Sequence, residues 1–295
     1  MRQFEFVTVD VFTDTRFGGN QLAVFTDARG LSDAEMQSLA AEMSLSETTF
    51  VLPPADPANT ARVRIFNRTA EMPFAGHPNV GTGFVLAASR PELGDVLRFE
   101  EQAGLVEVRI KRAPDNQVVG AEIDAPQPLQ LLGELPVDAV AACIGLAASN
   151  LRVTTHAPLR ATLGVEFVLV EVAGDALACA APDLPSFRRT AFGQADIGER
   201  LSIFLYARGD TAIRARMFAP LSGTWEDPAT ESASATLGAL LLSSSADEEA
   251  WFTVTQGVEM GRPSRLAVTA GRTPDGIRAS VGGGCVPVLA GTARV

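Results

Sequence analysis

The chain has little of what most readily recognised chemistries require. Its three cysteines, Cys143, Cys179 and Cys285, stand far apart with no CxxC spacing, which argues against a disulfide framework and for buried thiols in a reducing compartment. The two histidines, His77 and His156, have no metal-ligand spacing, and no metal site is expected. No apolar run approaches the roughly 18 residues that a membrane helix needs, so no membrane partner is expected. The opening MRQFEFVTVDVF alternates like a half-buried strand and lacks an apolar run followed by a small-residue cleavage site. A cytoplasmic location is the expectation. Basic charge is also scarce: a net charge of −11 leaves no footprint for a phosphate backbone, which excludes nucleic acid and favours a small molecule or a protein as ligand. The glycine-rich GGN at 18–20 and VGGGC at 281–285 fit neither a Walker loop nor a dinucleotide fingerprint, and read as turns or close backbone approaches. There is no GxSxG elbow.

What is present is a globular composition, 46% hydrophobic and 20% charged over 295 residues, enough for one large or two medium domains. Strand-like runs (FEFVTVDVF, NQLAVFT, TTFVLPP, ARVRIFN) alternate with helical ones, giving an α/β (α+β) class with many strands. Ser32 followed by Glu35 reads as a capping box opening a helix over SDAEMQSLAAEM. HPNVGTGFVLAA reads as a second helix and LRFEEQAGLVEVRI as a hairpin. The proline-rich stretch 124–136 is the expected linker, dividing a half at 1–125, joined by a final strand at 281–295, from a half at 126–280.

The pattern then recurs. RIFNRTAEMPFAGHPNVGTG lies beside RMFAPLSGTWEDPATESA with a gap of two, so that His77-Pro78 meets Asp227-Pro228, Gly81 meets Glu231 and Thr82 meets Ser232; TFVL at 49–52 likewise resembles EFVLV at 166–170. Two homologous halves are the simplest account. In each, His77 or Asp227 is expected at the N-cap with proline at the first helical position, leaving uncovered N–H groups at the positive end of a helix dipole, where carboxylates bind. Two such ends across a pseudo-twofold axis would make a ligand cleft, although an Asp-Pro start alone is a common cap. Glu47, in SLSETTFV, leads into an apolar strand, where partial burial would bring its carboxyl toward the range useful for proton transfer. His156 has no acid or serine partner in a recognisable pattern and reads as a loop residue.

The stretches VDVFTDTRFGGNQLAVF, LSETTFV, EMPFAGHPNVGTG, RMFAPLSGTWEDPAT and QGVEMGRPS resemble, from end to end, the phenazine-biosynthesis PhzF-like family within the diaminopimelate epimerase fold. The resemblance implies two pseudo-symmetric domains, each a sheet or barrel wrapped around a central helix, a site between them, and a homodimer. It places the acid/base on Glu47, with His77 and Asp227 as its catalytic companions. Gly19, Asn20, Gly76, Asn79 and Ser232 become substrate-binding positions. It further implies cofactor-free isomerisation of a small polar metabolite, a proton leaving one carbon and returning to another. Racemases of the wider fold use paired cysteines where His77 and Asp227 stand here, so two-thiol racemisation is not expected. An amino- or hydroxy-acid epimerase using Glu47 and His77, and a non-catalytic binding protein, remain the alternatives. Two positions depart from the pattern. Glu231 replaces the glycine of the common DPATGSA, and Ser234 stands where histidine is frequent. Glu231 would change the substrate class, turn outward harmlessly, or disable the site.

Overall fold

The computed structural model describes residues 1–193, 200–209 and 212–295. They form two compact units, Met1–Ile123 with Gly282–Val295, and Asp124–Val281. The first unit contains β1 (Gln3–Val11), β2 (Asn20–Phe25), α1 (Asp33–Met43), β3 (Glu47–Leu52), β4 (Ala61–Phe66), β5 (Glu71–Met72), α2 (Gly76–Ser89), β6 (Val96–Glu101), β7 (Gly104–Arg112) and β8 (Val118–Asp124). The second contains β9 (Gln130–Glu134), α3 (Val137–Cys143), β10 (Leu159–Thr162), β11 (Glu166–Glu171), α4 (Gly174–Leu177), α5 (Leu184–Phe192), β12 (Ile203–Arg208), β13 (Ile213–Ala219), β14 (Thr224–Asp227), α6 (Glu231–Ser243), β15 (Glu249–Gln256) and β16 (Ser264–Thr273). A last strand, β17 (Gly276–Arg294), begins in the second unit and pairs antiparallel with β1 in the first.

In the first unit β1 pairs antiparallel with β2, β2 parallel with β3, β3 antiparallel with β4, β4 parallel with β6, and β6 antiparallel with β7. The second unit repeats this order with β10, β11, β12, β13, β15 and β16. In each, strands contact a central helix from several sides: β1, β2, β3 and β7 around α2, and β10, β11, β15 and β16 around α6. Those helices lack an amphipathic stripe because they have no solvent side; every residue of α2 from Gly76 to Ala87 is buried. Small residues admit the strands. A Cβ on Gly83 would lie 2.6 Å from Val108 Cγ1, and one on Gly238 2.6 Å from Val268 Cγ1.

The helix α1 opens with the expected capping box, Glu35 accepting the Ser32 N–H at 2.8 Å while Ser32 Oγ accepts the Glu35 N–H at 3.3 Å. Its Met36 and Ala40 join Phe25, Phe50 and Phe66 in one core cluster, where Phe25 and Phe50 stack at 4.9 Å and Phe66 meets Phe50 edge-on at 5.5 Å. The second unit's core gathers Val140, Phe187, Ile203 and Phe218 from α3, α5, β12 and β13.

The structure corrects several sequence expectations. The stretch expected to be only a linker carries β9, which pairs antiparallel with β10. EFVLV, in β11, runs parallel to β12 as β2 runs parallel to β3, so it corresponds to β2 and not to TFVL in β3. Matching core phenylalanines misled that comparison. The helix α5 and the strands β10 and β12 were not foreseen, although Asp183, Pro185 and Gly193 mark the ends of α5. Cys143 and Cys285 are buried as expected, but Cys179 is exposed, just beyond the short α4. Among the described residues no helix is long and apolar enough to cross a membrane.

Candidate active site

In the first unit Glu47 opens β3 directly after α1, and His77 is the second residue of α2. His77 is therefore not the helix cap. The cap is Ala75, whose side chain cannot bond, and its carbonyl instead accepts a 3.0 Å bond from Asn79 Nδ2. The His77 side chain is 5% exposed and Glu47 17%. Burial lowers the His77 pKa from its ordinary 6.5 to about 4, against a smaller upward pull from a hydrogen bond to the Gln21 backbone. The imidazole is thus neutral near pH 7. Its Nε2 is buried with no hydrogen-bond partner and lies 3.4 Å from Glu47 Oε2. With Nε2 unbonded, the Gln21 bond falls to Nδ1, and Nε2 faces the carboxyl as a lone pair.

The loop before β2 is held close by. Gly19 has φ +63°, and a Cβ there would lie 2.3 Å from the Val11 carbonyl oxygen, so both conformation and space require glycine. Asp10 Oδ2 accepts the Phe17 N–H at 2.7 Å, and Asn20 begins β2 at 2% exposure. Gly76 opens α2, buried, and Asn79 is fully buried in its first turn with Oδ1 unpartnered. Asn79 is thus a brace for the helix start.

In the second unit Asp227 is the last residue of β14 and not a helix cap; α6 begins three residues later than expected, after the cap Thr230. Asp227 Oδ2 accepts the Thr230 hydroxyl at 2.6 Å. Gln256, at the end of β15 and fully buried, clamps this turn: Oε1 accepts the Thr230 N–H at 3.1 Å, and Nε2 donates to the Asp227 carbonyl at 2.8 Å and to Thr230 Oγ1 at 2.9 Å. Next to it Gly257 has φ +74°, and a Cβ there would lie 2.6 Å from the Pro228 carbonyl oxygen. Glu231 is the first helical residue and only 8% exposed, so it does not project into bulk solvent. An acid at that position suits the helix dipole. Ser232 follows it, half-buried, and Ser234 is fully buried with its hydroxyl unpartnered.

Strand pairing corrects the register of the repeat. Ile65 pairs with Met72, and Met217 with Asp227, so Asp227 corresponds to Met72. Arg64 bonds Glu71 through two nitrogens while its guanidinium lies over Phe66, and Arg216 treats Glu226 and Phe218 in the same way. At the same constant spacing Ala75 matches Thr230, Gly76 matches Glu231, Gly83 matches Gly238, and His77 matches Ser232, not Asp227. Aligning the two prolines misplaced the gap. The second half is three residues longer before its glutamate, the length of the 3-10 turn Pro220–Ser222. Thr230 and Gln256 went unnoticed in the sequence because only this register makes them the partners of a helix start. His156 lies in a loop as expected, but its Nε2 is 2.8 Å from the buried Tyr206 hydroxyl.

Comparison with known proteins matches residues 9–291 to the family model described as phenazine biosynthesis-like protein. The chain is 36% identical to an uncharacterised isomerase of Mesorhizobium japonicum over 99% of both chains. It is 35% identical to the trans-2,3-dihydro-3-hydroxyanthranilate isomerase of Pseudomonas aeruginosa over 90% of each. The crystal structure of a PhzF-family phenazine biosynthesis protein from Bacillus anthracis superposes with a TM-score of 0.89, at 24% identity and full coverage of both chains. With the family model spanning nearly the whole sequence and these relatives matching end to end, the chain belongs to the PhzF family of phenazine biosynthesis-like isomerases.

Proposed function

We propose that the protein is a cofactor-independent isomerase of a small polar metabolite, moving a proton from one carbon to another with Glu47 as the shuttle. The observation that carries this reading is the pairing of Glu47 with a buried, neutral His77 whose unbonded Nε2 lies 3.4 Å from the carboxyl. Two acceptors face each other there unless one holds a proton. A protonated Glu47 donates to His77 Nε2; an ionised Glu47 can take a proton from carbon. The electron pair left behind spreads into an adjacent double bond, and Glu47 returns the proton to the far carbon, so that atoms and charge balance. His77 is all but closed to solvent, while the 17% exposure of the Glu47 side chain lets its carboxyl proton exchange with water between turnovers.

In the second unit Asp227 and Ser232 are polar groups suited to hold a ligand at the start of α6, where the Gln256 and Thr230 clamp fixes the turn. Glu231 bears on substrate class. A carboxyl at the first turn of α6, where family members commonly carry glycine, disfavours a substrate carboxylate and favours an ammonium or neutral group. Its burial also supports a second reading, a binding protein that keeps the scaffold.

The test is to incubate the protein with trans-2,3-dihydro-3-hydroxyanthranilate, the substrate named for its relative, and follow the product by NMR and chiral chromatography. Migration of the double bond supports the proposal. Inversion of one stereocentre would make the protein an epimerase, and thermal stabilisation without conversion would leave the binding reading. Glu231→Gly is expected to tighten binding of carboxylate ligands by about tenfold, the worth of one charge-assisted contact; unchanged affinity by calorimetry contradicts the role given to Glu231.

A further inference from the structure

Glu101 ends β6 with both carboxyl oxygens buried and without a hydrogen-bond donor. The group it meets is Asn79, whose Oδ1 is equally buried and equally without a donor, and whose Nδ2 gives one of its two N–H groups to the Ala75 carbonyl at 3.0 Å. An ionised Glu101 can draw only on the Asn79 amide N–H and leaves Asn79 Oδ1 buried without a donor. A protonated one supplies the missing donor, and burial does push this carboxyl up to about 8, the Asn79 amide pulling it down by less.

The other half of the molecule supports this assignment. In the corrected register Glu101 matches Gln256, just as the cap Ala75 matches Thr230. Gln256 donates to and accepts from the turn that enters α6, holding the Thr230 N–H and hydroxyl and the Asp227 carbonyl. A neutral carboxylic acid has nearly the shape of that amide and, like it, one donor end and one acceptor end.

We propose that Glu101 is a positioning residue that works as a neutral carboxylic acid: it donates to Asn79 Oδ1 and, through Asn79 and the Ala75 carbonyl, fixes the turn that presents His77 to Glu47. The inference rests on the proton-transfer reading of that pair.

Four variants and three readouts test it. In wild type at pH 7, infrared difference spectra against Glu101→Gln should show the carbonyl band of a protonated carboxyl; its absence would overturn the proposal. In a His156→Gln background, where the remaining histidine signals are those of His77, Glu101→Gln should leave the ring resonances in place. Glu101→Met, which keeps bulk but has no donor, should shift or broaden them. With trans-2,3-dihydro-3-hydroxyanthranilate as probe, Glu101→Gln should keep kcat, whereas Glu101→Met and Glu101→Ala should lower it at least about tenfold with a smaller change in KM. Thermal melts report which variants are folded, and Glu101→Met is the arm that stands if Glu101→Ala does not fold. A Glu101→Met protein with unchanged His77 resonances contradicts the proposal. If the wild type does not turn the probe over, the functional reading fails, while the infrared and histidine measurements still judge Glu101.

Discussion

His77 and the carboxyl oxygens of Glu101 are buried, and burial moves their pKa values in opposite directions, His77 from 6.5 to about 4 and Glu101 from 4.5 to about 8. Each shift links folding to pH. Between pH 6.5 and 4 the unfolded chain takes up a histidine proton that the folded one refuses, so stability falls as the solution is acidified. Between pH 4.5 and 8 the folded chain keeps a carboxyl proton that the unfolded one releases, so stability falls as pH rises. The two effects oppose each other from pH 4.5 to 6.5, and Glu101 acts alone from 6.5 to 8. Urea unfolding of wild type should therefore weaken across that upper window by up to about 1.4 kcal/mol per pH unit, and Glu101→Gln should lose the slope. A slope that persists in Glu101→Gln contradicts the assignment. His77→Gln should remove the loss of stability contributed below pH 6.5. Of these residues, Glu47 was legible in the sequence, because an acid leading into TTFV stands at the edge of a buried strand. Glu101 was not: in LRFEEQAG one glutamate in an exposed hairpin looks like the next, and only the meeting of β6 with α2 buries it.

The elements show where local patterns suffice. The capping box of α1 is a contact between residues three apart and could be read directly. The starts of α2 and α6 could not, since His-Pro and Asp-Pro imitate caps while the true caps, Ala75 and Thr230, are held by other side chains, Asn79 within α2 and Gln256 at the end of β15. Close packing of the central helices is likewise a long-range property. Gly238→Ala gains about 1 kcal/mol of helix propensity but drives a methyl to 2.6 Å from Val268 Cγ1. The clash should win, for a net loss of about 1 kcal/mol, since overpacking a close-packed site costs roughly 1–3 kcal/mol. In a Val268→Ala background the same change should be neutral or stabilising. A double-mutant cycle by denaturation checks this, and additivity of the two substitutions would show that the contact is not the cause.

At the scale of the whole molecule, duplication explains both what the sequence disclosed and what it hid. The motifs common to the family run end to end, and the two halves share one strand order, so family and architecture were legible. The register between the halves was not, because the three-residue difference sits in a turn and the two prolines that invite alignment, Pro78 and Pro228, both lie beyond it. Once set by strand pairing, that register separates the roles of the halves. His77 and Ser232 occupy matching places, Glu101 and Gln256 brace matching turns, and Glu47 has Ser202 as its counterpart, since Thr48 pairs with Phe66 as Ile203 pairs with Phe218. One half thus carries a carboxyl, the proposed proton shuttle, and the other carries none at that place. The most direct test is exchange in deuterium oxide with trans-2,3-dihydro-3-hydroxyanthranilate: wild type should incorporate solvent deuterium at carbon, and Glu47→Gln, folded by its thermal melt, should not. Full retention of exchange by Glu47→Gln would contradict the account.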